Sequence, residues 1–293
     1  MANKWIEIPS SKQSAAKFAE RVLRLRVEYV QQMLPLAALR YNEDIEHVHR
    51  LRVACRRAGA ALQALRPLMS KKPTSLRRWL RRIRRAAGPA RDTDVLLNRY
   101  QQESGASEYV IARLQQQRID VQHQLAEVAK RAKQKKIHSS LEQCLSTLSD
   151  SKAKRLTIAK FAKDALHQAN QPVLDFTALK QPSLEQLHEL RIAGKRLRYS
   201  IELFHEVFPT ELRTEFYPLV EKLQSRLGKL NDHATAQAMF QSWLSQMPVD
   251  GHAAELARCV VAEHESAEQV REEFLAWWTA GRIARLEKYL DSY

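Results

Sequence analysis

Between residues 47 and 91 the chain contains no aspartate and no glutamate, although it places 14 lysines and arginines there. Soluble helical surfaces usually interleave both signs, because opposite charges at i,i+4 support a helix and like charges repel. A stretch with no local carboxylate must find its counter-charge elsewhere, and a polyanion supplies it. Glycine is scarce, at 7 of 293 residues, and proline reaches only 10, which argues against a turn-rich β architecture. The three cysteines, Cys55, Cys144 and Cys259, stand far apart. They form neither a metal-ligand spacing nor an even disulfide set, so a reducing cytoplasm is the expected home. No apolar run approaches the roughly 20 residues needed to span a bilayer. The segment Met1-Ala2-Asn3-Lys4-Trp5-Ile6-Glu7 lacks the apolar core of a secretory signal. Gly-rich phosphate loops and a Ser nucleophile elbow are also missing.

The positive charge is unevenly spread. Of the net +15, residues 1–140 hold 29 Lys/Arg against 12 Asp/Glu, and residues 141–293 hold 19 against 21. The length suits one large domain or two of ordinary size. Two stretches, one in each half, read nearly alike: His49-Arg50-Leu51-Arg52-Val53-Ala54-Cys55-Arg56-Arg57 and His188-Glu189-Leu190-Arg191-Ile192-Ala193-Gly194-Lys195-Arg196. Histidine aligns with histidine, Arg52 with Arg191, Arg56 with Lys195 and Arg57 with Arg196. A repeat that keeps cations at helical spacing points to a duplicated cationic surface.

Periodicity and punctuation predict helices almost throughout. In the first half they cover 11–34, with Pro35 disturbing the end, then 43–66, 74–87, 92–104 and 107–135. Gly88-Pro89 reads as a stop, and Asp92 as an acid in the first turn of the helix that follows. That helix is expected to end by Ser104-Gly105. In the second half helices are expected at 152–170, 183–207, 211–228, 232–246 and 252–290. Ser183 and Gln186 form a capping box, and Gly228 and Asp232 match Gly88 and Asp92. The plan is a helical bundle of about 140 residues, present twice.

A helical wheel tests the cations. Measured from His49, Arg52 falls about 60° to one side and Arg56 about 20° to the same side. His188, Arg191, Lys195 and Arg198 share an arc of about 80°. Arg57 and Arg196 sit off these arcs, about 80° from their histidines on the other side. Arg77, Arg78, Arg81, Arg82, Arg84 and Arg85 fill a continuous arc of about 160°, opposite Leu76, Trp79, Leu80 and Ile83. Lys222, Arg226 and Lys229 share about 60°, with Glu221 close by. Arginine offers forked donors and a permanent charge, lysine a mobile point charge, and histidine donates in either form. A cation row at i, i+3, i+7 and i+10 spans about 15 Å, which suits an extended anion better than one small phosphate ester.

These paired His-x-x-Arg-x-x-x-Arg/Lys-Arg helices resemble the CHAD domain, the conserved histidine α-helical domain. So do Gly88-Pro89-Ala90-Arg91-Asp92 and its counterpart Gly228-Lys229-Leu230-Asn231-Asp232. The likeness covers about residues 12–290. It implies an all-α fold of two pseudo-symmetric antiparallel helical bundles, 1–140 and 141–293, forming one CHAD module with a basic cleft or pore between them. It also implies binding of inorganic polyphosphate and association with polyphosphate granules in the cytoplasm. Carried over by position, the ligands are His49, Arg52, Arg56, Arg78, Arg81, Arg82 and Arg85, then His188, Arg191, Lys195, Arg198, Lys222 and Arg226. Arg57, Arg196 and Lys229 complete the set. The sequence departs from the pattern at Gly59, which stands where the second string has Arg198. Many relatives carry a CYTH domain that handles triphosphates, and there is no room for one here, which weighs against an enzyme.

Three classes of function are compatible with a basic face. Non-catalytic polyphosphate binding is the reading preferred. An RNA- or DNA-binding protein would expose aromatics for stacking, and only Tyr199 lies beside a cationic stripe. A metal-dependent phosphohydrolase would need a carboxylate cluster in the groove. Asp92, Asp94 and Asp232 are too sparse for that and read instead as helix caps or arginine partners. No cofactor and no metal is expected. If His49 and His188 face the anion, their charged forms are favoured and their pKa values are expected to rise.

Overall fold

The computed structural model describes residues 4–102, 107–132, 134–149, 155–179, 182–247 and 251–293. Among them lie ten α-helices and no strand, so the fold is all-α. In chain order they are α1 (Ala15–Leu39), α2 (Glu46–Ala64), α3 (Thr74–Gln102), α4 (Glu108–Arg131), α5 (Gln134–Leu145), α6 (Ile158–Thr177), α7 (Leu184–Phe204), α8 (Tyr217–Leu244), α9 (Gly251–Trp277) and α10 (Ala280–Ser292). A π-turn over Leu212–Phe216 leads into α8. None of these helices is long and apolar enough to cross a membrane.

Several helices run further than their punctuation suggests. Pro35 lies inside α1, which continues to Leu39. Gly88-Pro89 does not stop α3, which passes through both residues. Proline in a helix interior costs about 3 kcal/mol through its missing N–H and its clash with the preceding turn. Burial of Leu80, Ile83 and Ala87 before it, and of Ala90, Leu96 and Leu97 after it, holds the chain helical regardless. Gly88 has a second role: a Cβ there would press on Arg52 Nη1 at 3.1 Å, so its bare backbone leaves room for that guanidinium. Gly228 likewise lies inside α8, and Asp92 and Asp232 are mid-helix residues rather than first-turn acids. The single helix expected over 252–290 is two, because Thr279 adopts extended backbone between α9 and α10. The capping box is present: Ser183 accepts from Gln186 N, and the Gln186 side chain accepts from Ser183 N at 2.8 Å. The expected end at Ser104-Gly105 and the expected start at 152 lie outside the described residues.

Three apolar clusters organise these helices. The first joins α1, α2, α3, α4 and α5, and also takes in Ile158 and Phe161 of α6 and Leu203 and Phe204 of α7. Residue 140, the expected boundary, falls inside α5, whose Ile137, Leu141 and Cys144 all bury in this cluster. The second is built from α6, α7, α8 and the tail, where Trp277, Trp278, Leu286 and Leu290 are buried, so the terminal aromatics pack internally. The third joins Leu96, Leu97 and Tyr100 of α3 with Phe240 and Trp243 of α8 and Leu256 of α9. It ties the far ends of α3 and α8 together, while α2 packs on α7.

Candidate functional site

Where α2, α3 and α7 converge they enclose a cavity of about 790 Å³. Two of its walls carry the repeated strings. α2 contributes Arg52 and Arg56, and α7 contributes His188, Arg191, Lys195 and Arg196. The third wall is the arginine face of α3, with Arg77, Arg81, Arg84 and Arg85. Nine lysines and arginines and one histidine therefore line a single cleft, and among the described residues no carboxylate does. The amphipathic period makes this possible. Leu51, Leu76, Ile83, Leu190 and Leu197 bury on the opposite faces of the same helices, so packing drives the cations to one side.

Crowding shows in the electrostatics. Burial, followed by the Arg52 charge, pushes the Arg56 guanidinium down to about 10. Arg191 is also lowered, by burial first, although Asp232 opposes the shift. Lys195 moves furthest: burial, then Arg191, Arg56, Arg52 and Arg198, bring its ammonium down to about 7. A cleft that disfavours its own charges in this way gains most when an anion enters. The Arg191 Nε is buried and makes no hydrogen bond among the described residues. Gln224 reaches over from α8 and donates to the Arg191 carbonyl at 3.2 Å. That approach requires Gly194, because a Cβ there would run into the Gln224 amide. With its amide oxygen turned to the guanidinium, Gln63 accepts from Arg196 at 2.9 and 2.7 Å, bridging α2 and α7.

Two aspartates mark one end of the basic zone. Arg52 pairs with Asp92 at 3.1 Å, and Asp92 and Asp232 share the lining of a small neighbouring cavity with Arg99. No group of three His, Cys, Asp or Glu side chains that could hold a metal ion occurs among the described residues. Cys55 also lines the cleft, but burial pushes its thiol up to about 12, which leaves it protonated and unreactive.

The other expected ligands lie elsewhere. Arg78 and Arg82 face an outer groove of about 660 Å³ between α3 and α4. Arg77, Arg81 and Arg85 line both this groove and the central cleft, forming the ridge between them. Lys222, Arg226 and Lys229 line a separate recess of about 240 Å³ between α8 and α9, which also contains Glu273. Arg57 is turned away, with its Nε 2.8 Å from the buried carboxylate of Glu202. Tyr217 donates to the same carboxylate at 2.9 Å. Arg198 is not part of the cleft lining; it stacks over the Tyr199 ring at 4.9 Å and stands 3.9 Å from Glu202. Gly59 does line the cleft, so the substitution that distinguishes the two strings removes no cation whose counterpart faces the cavity.

His188 lines the cleft and His49 does not. In the free protein the His49 imidazole is lowered, by burial first and then by Arg91. The basic cleft residues absent from the expected set are Arg77 and Arg84. Both fall within the arginine arc of α3 on the wheel, and only their position relative to α7 was invisible.

The model of the CHAD domain family matches residues 21–241. The crystal structure of the CHAD domain from the plant Ricinus communis superposes with a TM-score of 0.78 at 19% identity, covering 98% of this chain and 95% of that one. PptA from Streptomyces chartreusis superposes with a TM-score of 0.61 at 18% identity, covering 91% of this chain and 99% of that one. No match is found among curated proteins. At these identities the two structures are evidence for the fold.

Proposed function

Because the chain belongs to the CHAD domain family, we propose that its central cleft binds inorganic polyphosphate and does so without turning it over. One observation carries the reading: nine lysines and arginines and a histidine, drawn from three helices, line one cavity whose described wall contains no carboxylate. Arginine forks and a lysine ammonium match the oxygens of a repeating phosphate chain. Asp92, beside the cleft, pairs with Arg52, which supports its reading as a partner of a cation rather than as a metal ligand. Tyr199, the aromatic among the described residues lining the cleft, is buried at 5% exposure, which weighs against a stacking platform for bases. In the same proposal the two strings head the two halves of a duplicated module, and binding of this kind recruits the protein to polyphosphate granules.

The test is a binding titration with long-chain polyphosphate, with RNA as competitor at equal phosphate concentration. Each charge-assisted contact contributes about 1.5–3 kcal/mol, so Arg52→Ala, Arg56→Ala, Arg191→Ala and Lys195→Ala combined should weaken binding about a thousandfold or more, with helical circular dichroism unchanged. Unchanged affinity in that variant, or displacement of polyphosphate by RNA, would reject the proposal.

A further inference from the structure

One lysine, Lys195, stands among the eight arginines that line the central cleft. Lys195 sits midway along α7, half-buried in the cavity wall, with Arg191 and Arg198 on its own helix and Arg52 and Arg56 facing it from α2. The α3 wall adds Arg77, Arg81, Arg84 and Arg85 to the same cavity. Lys195 forms no ion pair with any described carboxylate, and the charges that act on it most strongly are those of Arg191, Arg56, Arg52 and Arg198. We propose that Lys195 is a reactive primary amine that captures aldehydes carrying a phosphate group as a reversible imine, with the surrounding arginines holding the phosphate.

Two physical effects support this. A lysine desolvated beside other cations loses its proton easily, and the neutral amine is the nucleophile. Lys195, brought down to about 7, is substantially neutral at physiological pH, whereas ordinary lysines, at about 10.4, are almost wholly charged. The arginines that lower it also concentrate anions beside it. In the reaction the amine nitrogen bonds to the carbonyl carbon and an N–H proton passes to the oxygen. A second proton transfer releases that oxygen as water and leaves the C=N bond. No oxidant, reductant or metal is needed. The proposal shares with polyphosphate binding only the anion-attracting cleft.

The experiment treats the intact protein, free of polyphosphate, with pyridoxal 5′-phosphate or with phosphate-free pyridoxal. Borohydride then reduces the imine to a stable amine, and peptide mass mapping reads every lysine. With pyridoxal, Lys195 should label at least tenfold faster than the other lysines at pH 7, with a rate that levels off above its midpoint near 7. With the phosphate-bearing aldehyde its advantage should grow a further tenfold. Arg56→Gln with Arg191→Gln should move the pyridoxal midpoint upward by about one pH unit. Labelling of Lys195 no faster than its peers, or a rate that climbs only toward pH 10, overturns the reactive amine. An equal advantage for both aldehydes overturns the phosphate preference. Polyphosphate affinity is measured separately on unlabelled protein, so failure of the imine with polyphosphate still bound, or the reverse, separates the two readings.

Discussion

At the residue scale the decisive feature is charge held against its preference. Polyphosphate entering the cleft should return Lys195 toward its ordinary pKa. Below about pH 7 the amine is already charged and binding is insensitive to its titration. Above that pH, binding must take up a proton, so affinity should fall as pH rises, by at most tenfold per unit, until the pKa of the bound state is passed. Calorimetry in buffers of different ionisation enthalpy should detect this uptake at pH 8 and none at pH 6; equal uptake at both would refute it. His49 stands outside the cleft lining, and burial, then Arg91, lower its imidazole. Arg57 looks like a ligand in sequence, since it repeats as Arg196, yet the structure commits it to Glu202, which is 1% exposed. Glu202→Ala should therefore destabilise the fold by about 3–5 kcal/mol, the usual consequence of leaving one partner of a buried ion pair uncompensated. Urea denaturation would measure this, and a loss below about 1 kcal/mol would show that Glu202 is not the anchor that Arg57 and Tyr217 suggest.

At the scale of helices, the cation stripes were legible and the helix ends were not. Arg52 with Arg56, and Arg191 with Lys195, share a face because the α-helical period puts them there, and burial of Leu51 and Leu190 confirms which side is the core. Gly88-Pro89 carries a strong local stop signal, but tertiary burial on both sides of it outweighs the lost hydrogen bond. No local rule reveals that Gly88 is small because a guanidinium lies against it, or Gly194 because Gln224 crosses there. The capping box of α7 was legible because both of its hydrogen bonds are local in sequence. α7 supplies one wall of the cleft, so its start matters: Ser183→Ala should cost about 1 kcal/mol of stability. Differential scanning calorimetry should register a lower Tm, and an unchanged Tm would mean that tertiary packing alone fixes the start of α7.

At the scale of the whole molecule, charge and packing distribute the basic surface differently. The positive excess belongs to residues 1–140, and yet α7, from the near-neutral remainder, supplies four of the ten basic side chains in the central cleft. The sequence indicated which helices are cationic but not which of them meet, because the meeting of α2 with α7 and of α3 with α8 depends on contacts far apart in the chain. Thus Lys222, Arg226 and Lys229, which look equivalent to the α3 arginines, open on another recess. The outer groove along α3 is joined to the cleft through Arg77, Arg81 and Arg85. A long anion should fill the cleft first, where three walls converge, and extend over that ridge second. Arg78→Glu with Arg82→Glu touches only the outer groove, so it should weaken binding less than Arg56→Glu with Arg191→Glu in the cleft. Counterion release gives a slope of log affinity against log salt of about −0.7 per phosphate contact on a single-stranded polyanion, so six to nine engaged cations predict roughly −4 to −6. The outer pair should reduce that slope by about 1 to 1.5 for long chains and leave short chains unaffected, if short chains occupy the cleft alone. Salt titrations with polyphosphates of two lengths read this directly. A larger loss from the outer pair, or an equal effect on both lengths, would place the primary contact on the α3–α4 groove instead of the cleft.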